Sequence, residues 1–192
     1  MDTSPLDQLA RALDDTAALV RGVREDQWDG PTPCSEWDVR GVVQHLVVGH
    51  QVFARALRGD AVAAVPAEPP RAPLDAAYTG SAADMLEAFR APGVLDGQVT
   101  VPFGTVPGTV ALHLRLVDAL VHGWDVAVAT GQRPGHDERL AEQEIGFTRS
   151  FLTRIPPGRT PFAPSVQAGD DALALDRLAA LLGRDTGWAA SR

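Results

Sequence analysis

Gly108-Thr-Val-Ala-Leu-His-Leu-Arg-Leu-Val-Asp118-Ala-Leu-Val-His122-Gly-Trp-Asp125-Val-Ala-Val-Ala-Thr130 runs without a proline and is closed by Gly131, a residue favoured at helix ends. The stretch predicts one long helix. On a wheel centred on Asp118, residues Leu114, His122, Asp125, Ala111 and Ala129 fall within about 40° of it. Val110, Val117, Val121, Trp124 and Val128 occupy one flank, and Leu112, Leu116, Leu120 and Ala127 the other. A helix apolar over most of its circumference needs neighbours on several sides, so this stretch points to a helical bundle. The narrow stripe bearing Asp118 and His122 then faces either water or a polar pocket.

Helical period dominates the rest of the chain. Leu6, Leu9, Leu13, Ala17 and Val20 mark an amphipathic helix from Ser4 to about Val23. After Pro31-Thr-Pro33, the run Ser35-Glu-Trp-Asp38 reads as an N-cap with a carboxylate three residues on. It opens a second helix that reaches Leu57 and stops at Gly59. Val39, Val42, Val43, Leu46, Phe53 and Leu57 form its inward face, with His45 at the edge of that arc. Trp37 is expected to pack the start of this helix against the core.

Pro66, Pro69, Pro70 and Pro73 predict an extended connection over 59–73. A third helix follows from Asp75 to Arg90, with Ala76, Met85, Leu86 and Phe89 as its apolar positions. Val99 to Val106 alternates and fits a short hairpin, kept away from any sheet centre by Pro102 and Pro107. A fifth helix over Asp137–Leu152 carries Leu140, Ile145, Phe147 and Phe151. Pro156, Pro157, Pro161 and Pro164 then set an irregular segment. A last helix, about Ala172 to Leu182, includes Leu173 and stops at Gly183. The expected architecture is all-α: several antiparallel helices around one core, with extra short helices and a short β-hairpin, as a single domain over 1–192.

The chain has 192 residues, 45% of them hydrophobic and 22% charged, enough for one well-buried core. A net charge of -8 without a basic stripe argues against nucleic acid. All 17 basic residues are arginine, and the chain lacks lysine and asparagine, a bias that reads as a GC-rich genome. The N-terminus lacks the basic start and apolar core of a signal peptide, and Gln44 and His45 interrupt the most apolar run before it could span a membrane. One cysteine, Cys34, excludes an intrachain disulfide and fits a reducing cytoplasm.

Asp118 and His122, at i and i+4, share one helix face and can lean toward one ion. With His45 they form a candidate set of three ligands for a divalent metal, with a coordination position left open. The competing reading of the pair is a solvent-facing stripe, and that of His45 is a hydrogen-bonded core histidine. His50, turned about 140° from His45, His113, turned as far from Asp118, and the loop residue His136 are poorer candidates. Asp125 is either a plain surface carboxylate or a group that orients a ligand from behind.

Thr32-Pro-Cys-Ser-Glu-Trp37-Asp-Val39, followed by His45-Leu-Val-Val-Gly49, resembles the signature of the actinobacterial mycothiol-dependent maleylpyruvate isomerase metal-binding domain, within the DinB-like superfamily. Leu114 to Asp125 is similar to its second signature. Leu175-Asp-Arg-Leu178-Ala-Ala-Leu-Leu-Gly-Arg-Asp185 resembles a C-terminal block of an uncharacterised actinobacterial branch of that group. The resemblance implies a four-helix bundle with a metal held by His45, Asp118 and His122, where the isomerase has glutamate in place of Asp118. The ligand set makes zinc or nickel the expected ion, and the resemblance implies mycothiol as cosubstrate. The isomerase has a further C-terminal domain, for which this chain is too short, so isomerisation of maleylpyruvate itself is not expected.

The leading expectation is a cytoplasmic, metal-dependent enzyme of thiol chemistry, an S-transferase or isomerase acting between a small-molecule thiol and an electrophile. The rivals are a non-catalytic bundle that binds a metal or small ligand, and a scaffold without metal. Pairing into a homodimer is left open.

Overall fold

The structure is a computed structural model that describes residues 4–60, 73–102, 104–155 and 162–188. Helix α1 spans Pro5–Arg21; Ser4 caps it through a bond from the Asp7 amide at 3.2 Å, with proline at the first helical position. Helix α2 spans Val39–Leu57. Its N-cap is Asp38, whose Oδ1 accepts from the Gly41 amide at 2.7 Å, so the expected start at Ser35 lies one turn too early. Residues 35–37 instead belong to a folded loop. There the Thr32 hydroxyl accepts from the Cys34 amide at 3.1 Å and donates to the Trp37 carbonyl at 2.7 Å. A side-chain acceptor within the loop outcompetes an early helix turn.

Helix α3 spans Leu74–Arg90. Tyr78, Ser81, Ala82 and Met85 are buried on it, whereas Ala76, expected inside, is exposed. Strands β1 (Gln98–Val101) and β2 (Gly104–Pro107) form the anticipated antiparallel hairpin, with Val99 opposite Val106. Helix α4 spans Gly108–Thr130 and ends where the sequence predicts. Gly131 adopts φ 70°, a left-handed conformation that side chains resist. Helix α5 is Glu138–Leu152, capped by Asp137. Helix α6 is Ala174–Leu181, shorter than expected, because Leu173 sits at its N-cap and is 61% exposed. Pro66, Pro69 and Pro70 of the predicted extended connection, and Pro156, Pro157 and Pro161 of the predicted irregular segment, lie outside the described residues.

Helices α1 and α2 each pack on both α3 and α4, closing a four-helix bundle, while α5 and α6 pack on each other and on another side of α4. The chain is thus an all-α bundle with extra helices and a short hairpin. The position of α4 between two layers accounts for its composition. Sixteen of its 23 residues are buried, including Leu116, Leu120 and Ala127 on one flank and Val117, Val121 and Trp124 on the other. No helix among the described residues is long and apolar enough to cross a membrane.

Candidate metal centre

The Asp118 stripe of α4 faces neither bulk water nor apolar core. His122 is 6% exposed and Asp125 is fully buried, which rules out a solvent-facing stripe for both. His45, on α2, stands opposite. Its Nε2 lies 3.3 Å from Asp118 Oδ1, and His122 Nε2 lies 3.8 Å from the same oxygen. The donor atoms of His45, Asp118 and His122 all fall within 4.8 Å of one another. The structure therefore gathers all three residues of the sequence-predicted set around one point.

Asp118 and His122 are each aimed by a partner behind them. Asp118 Oδ2 accepts from Arg115 Nη2 at 2.6 Å, which leaves Oδ1 toward the histidines. Burial pushes the Asp118 carboxyl up, but the Arg115 guanidinium, then His45 and His122, outweigh it and hold the pKa well below the ordinary carboxylate value. Arg115 is itself buried, stacked over the Phe53 ring at 4.8 Å and pressed against Gly49 of α2. A Cβ at Gly49 would come within 2.8 Å of the guanidinium, so glycine is what lets α2 approach it.

On the other side, His122 Nδ1 lies 2.9 Å from Asp125 Oδ2. Arg184 Nη2 donates to that same oxygen at 3.1 Å. A carboxylate between these two groups only accepts, so His122 donates to it through Nδ1–H, which sets Nε2 on the side of Asp118. Asp125 is thus a buried group behind the candidate ligand His122, not a surface carboxylate.

The face of the site is aromatic. Trp37 stacks on His45 with centroids 4.3 Å apart and an interplanar angle of 25°, and its ring lies 5.6 Å from that of His122. Trp37 does pack on the core, as expected, but half-buried and against two candidate ligands. The folded Thr32–Trp37 loop sets it there.

A tetrahedral ion with nitrogen and oxygen ligands at about 2.0–2.1 Å needs donor pairs about 3.3–3.4 Å apart. The separations from Asp118 Oδ1, 3.3 Å to His45 and 3.8 Å to His122, are close to that requirement, and the two histidines lie within 4.8 Å of each other. A second grouping, Cys34 with His122 and Asp125, lies within the same 4.8 Å limit. It fits an ion less well, because it would take His122 Nδ1 away from Asp125 and Asp125 away from Arg184. Burial, the largest influence, pushes the Cys34 thiol up, away from thiolate.

The remaining histidines stand apart, as expected. His50 is fully buried and bonded to Ser81 at 3.1 Å; His113 pairs with the buried Glu144 at 2.9 Å; His136 contacts Thr16 at 3.0 Å. Sequence reasoning missed Arg115 and Arg184. The first had a signal, its i to i+3 spacing from Asp118. The second is 59 residues from Asp125 and had none.

The profile of the mycothiol maleylpyruvate isomerase N-terminal domain matches residues 9–127, a span that includes all three candidate ligands. Two uncharacterised proteins of Mycobacterium tuberculosis, from two strains, are 41% identical over 184 residues, covering 94% of this chain and 97% of theirs. No solved structure matches the chain significantly. With helices, ligand spacing and profile in agreement, the chain belongs to the mycothiol maleylpyruvate isomerase N-terminal domain family.

Proposed function

We propose that the chain is a metal-dependent enzyme of thiol chemistry, in which His45, Asp118 and His122 hold one divalent ion, zinc or nickel, and mycothiol or a similar small thiol is the cosubstrate. The observation that carries the reading is the convergence of three donor groups from two helices. His45 Nε2 and His122 Nε2 lie 3.3 Å and 3.8 Å from Asp118 Oδ1, and the donor atoms of all three fall within 4.8 Å of one another. Bound there, a divalent ion supplies positive charge that lowers the pKa of a thiol reaching its open position. Arg115 and Asp125 fix the ligands, and Trp37 covers His45 and keeps water from one side of it. These side chains bind and orient; none of them is an acid or base in the scheme.

The reaction class is transfer of the thiol to an electrophilic carbon. A sulfur–carbon bond forms, and the carbon's π pair or leaving group takes the electrons. The thiol proton ends on the neighbouring carbon or on the leaving group. If the thiol later departs, the net change is an isomerisation. The whole of 1–192 acts as one domain in this reading, supported by Arg184, which reaches back to Asp125 from beyond the family match. The lone thiol Cys34 and the use of a low-molecular-weight thiol favour the cytoplasm as its place.

Protein purified without a histidine tag is expected to carry about one zinc or nickel ion per chain by elemental mass spectrometry. His122→Ala should lose it with the helical circular dichroism retained. In the cobalt form, mycothiol should add a saturable sulfur charge-transfer band, and thiol-dependent turnover should appear across a panel of electrophiles. Metal at full stoichiometry in His122→Ala would show the ligand set to be wrong. A metal-bound protein without the band or turnover would be a binding bundle instead.

A further inference from the structure

Helices α1 and α5 both pack on α4 but scarcely on each other, and a cavity of about 480 Å³, partly open to solvent, lies between them. Gln8, Arg11 and Asp15 line it from α1, and Arg139 and Gln143 from α5, with His136 of the connecting loop beside them. Its volume falls in the range of small-molecule sites. None of its lining residues belongs to the candidate metal centre or to the groups that aim the ligands there.

Four charged groups border the cavity, two of each sign. Arg11 and Asp15 stand one turn apart on α1; Asp137 and Arg139 stand at the start of α5. The Asp137 carboxylate is committed to capping α5, where it accepts from the Arg139 amide at 2.8 Å. The side chains of Arg11, Asp15 and Arg139 enter no ion pair among the described residues. Each wall thus carries one cation and one anion. An anionic ligand meets Asp15 and Asp137, and a cationic one meets Arg11 and Arg139. A zwitterion finds no cationic end opposed to an anionic end. The match is a neutral molecule with donors and acceptors spread over its surface.

The uncharged groups point the same way. His136 is 7% exposed, and burial pulls its pKa down to about 4, so the ring is neutral at pH 7. The Thr16 hydroxyl gives its hydrogen to the Ala119 carbonyl at 3.1 Å, so it accepts from His136 Nε2 at 3.0 Å. Nδ1 is left as an acceptor without a hydrogen-bond partner, and Gln8 Oε1 is a second. Gln8 is held only loosely, by a bond of 3.4 Å from its Nε2 to Gln143 Oε1 across the gap, so a side-chain rotation brings its oxygen to an entering ligand. Buried acceptors of this kind are satisfied by hydroxyl hydrogens, directly or through a bridging water. Ala12 and Leu140 add an apolar patch suited to the C–H face of a sugar ring.

We infer that this cavity is a second ligand site, and that it takes a neutral polyhydroxylated molecule, a sugar or a polyol. Its hydroxyls accept from Arg11 and Arg139 and donate to Asp15 and to the amide oxygens of Gln8 and Gln143. A hydroxyl does both without carrying charge. The inference rests on the cavity alone and is independent of the metal centre.

The test is an NMR titration of the isotope-labelled full chain with glucose, maltose and sorbitol, set against free serine as a zwitterion and inorganic phosphate as an anion. At least one of the three neutral compounds should bind saturably and shift the amides of Ala12, Gly135 and Leu140. Serine and phosphate should bind at least about tenfold more weakly. Arg11→Ala and Arg139→Ala change exposed side chains, so both proteins should fold as the parent does. Each should weaken binding about tenfold, the worth of one hydrogen bond from a charged donor. Asp15→Asn, which keeps an acceptor, should weaken it less than Asp15→Ala. No saturable shift with any of the three neutral compounds overturns the inference. So do serine or phosphate binding as tightly, arginine variants with unchanged affinity, or shifts confined to residues around His45 and His122.

Discussion

His122 is held from both ends. Nε2 faces Asp118 and His45, Nδ1 faces Asp125, and Arg184 stands behind Asp125. Asp125→Asn keeps the shape and removes the anionic acceptor, which frees the ring to take the other tautomer. Groups of this kind are worth about 10- to 100-fold in metal affinity. Competition against a chromophoric chelator should show a loss of that size. The variant should also unfold earlier, because Arg184 is left buried without its partner. Trp37 sits at the other face of the site. Trp37→Ala should cost less than the about 3–5 kcal/mol of a fully buried aromatic, since the ring is only half-buried, yet weaken metal binding by releasing His45. Urea unfolding and the chelator titration separate the two effects, and an unchanged metal affinity would make Trp37 a packing residue only.

At the scale of elements, the crossing of α2 over α4 builds the centre. Gly49 admits the Arg115 guanidinium, and Phe53, one turn on, lies under it. Gly49→Ala would put a methyl 2.8 Å from Arg115 Nη1. The clash falls on the far end of a long side chain, and alanine is the better helix former by about 1 kcal/mol. Stability should therefore change little, while Arg115 swings from Asp118 and metal affinity falls. A variant with lower stability and intact metal affinity would separate Arg115 from the ligand clamp. The same crossing explains why α4 could be read so fully from its sequence. A helix packed on two sides has few tolerated residue types, and the stripe that breaks the rule is where the polar site lies.

Across the whole molecule, two buried histidines outside the centre make the bundle acid-sensitive. Burial holds His136 down at about 4, against an ordinary value of 6.5, and burial with the nearby Arg115 holds His50 well below 6.5 too. As pH falls, the unfolded chain takes up these protons first. Stability from His136 is fully present above pH 6.5 and is lost between there and about pH 4, by up to about 3 kcal/mol. Urea titrations of metal-free protein at stepped pH should show the decline. His136→Gln, uncharged throughout, should flatten the slope across that window. A slope unaltered by the substitution would assign the acid sensitivity elsewhere.

By itself the sequence determined the helices, the hairpin and the pairing of Asp118 with His122 on one helix face, because these rest on short-range chemistry, while His45 joined them through the family resemblance. Periodicity marks a buried face, Gly131 marks a helix end, and an i to i+4 pair needs only one helix. Ser35 was misread because a competing bond, from Thr32 to the loop that carries Trp37, lies outside the capping pattern. Tertiary structure alone decided that the Asp118 stripe is enclosed, that Asp125 meets Arg184 across 59 residues, and that Trp37 lies on His45. It also left the buried Thr148 Oγ1 without a hydrogen-bond partner. Each of these depends on which faces of distant helices meet, and burial turns such meetings into chemistry by removing the water that would otherwise satisfy every polar group.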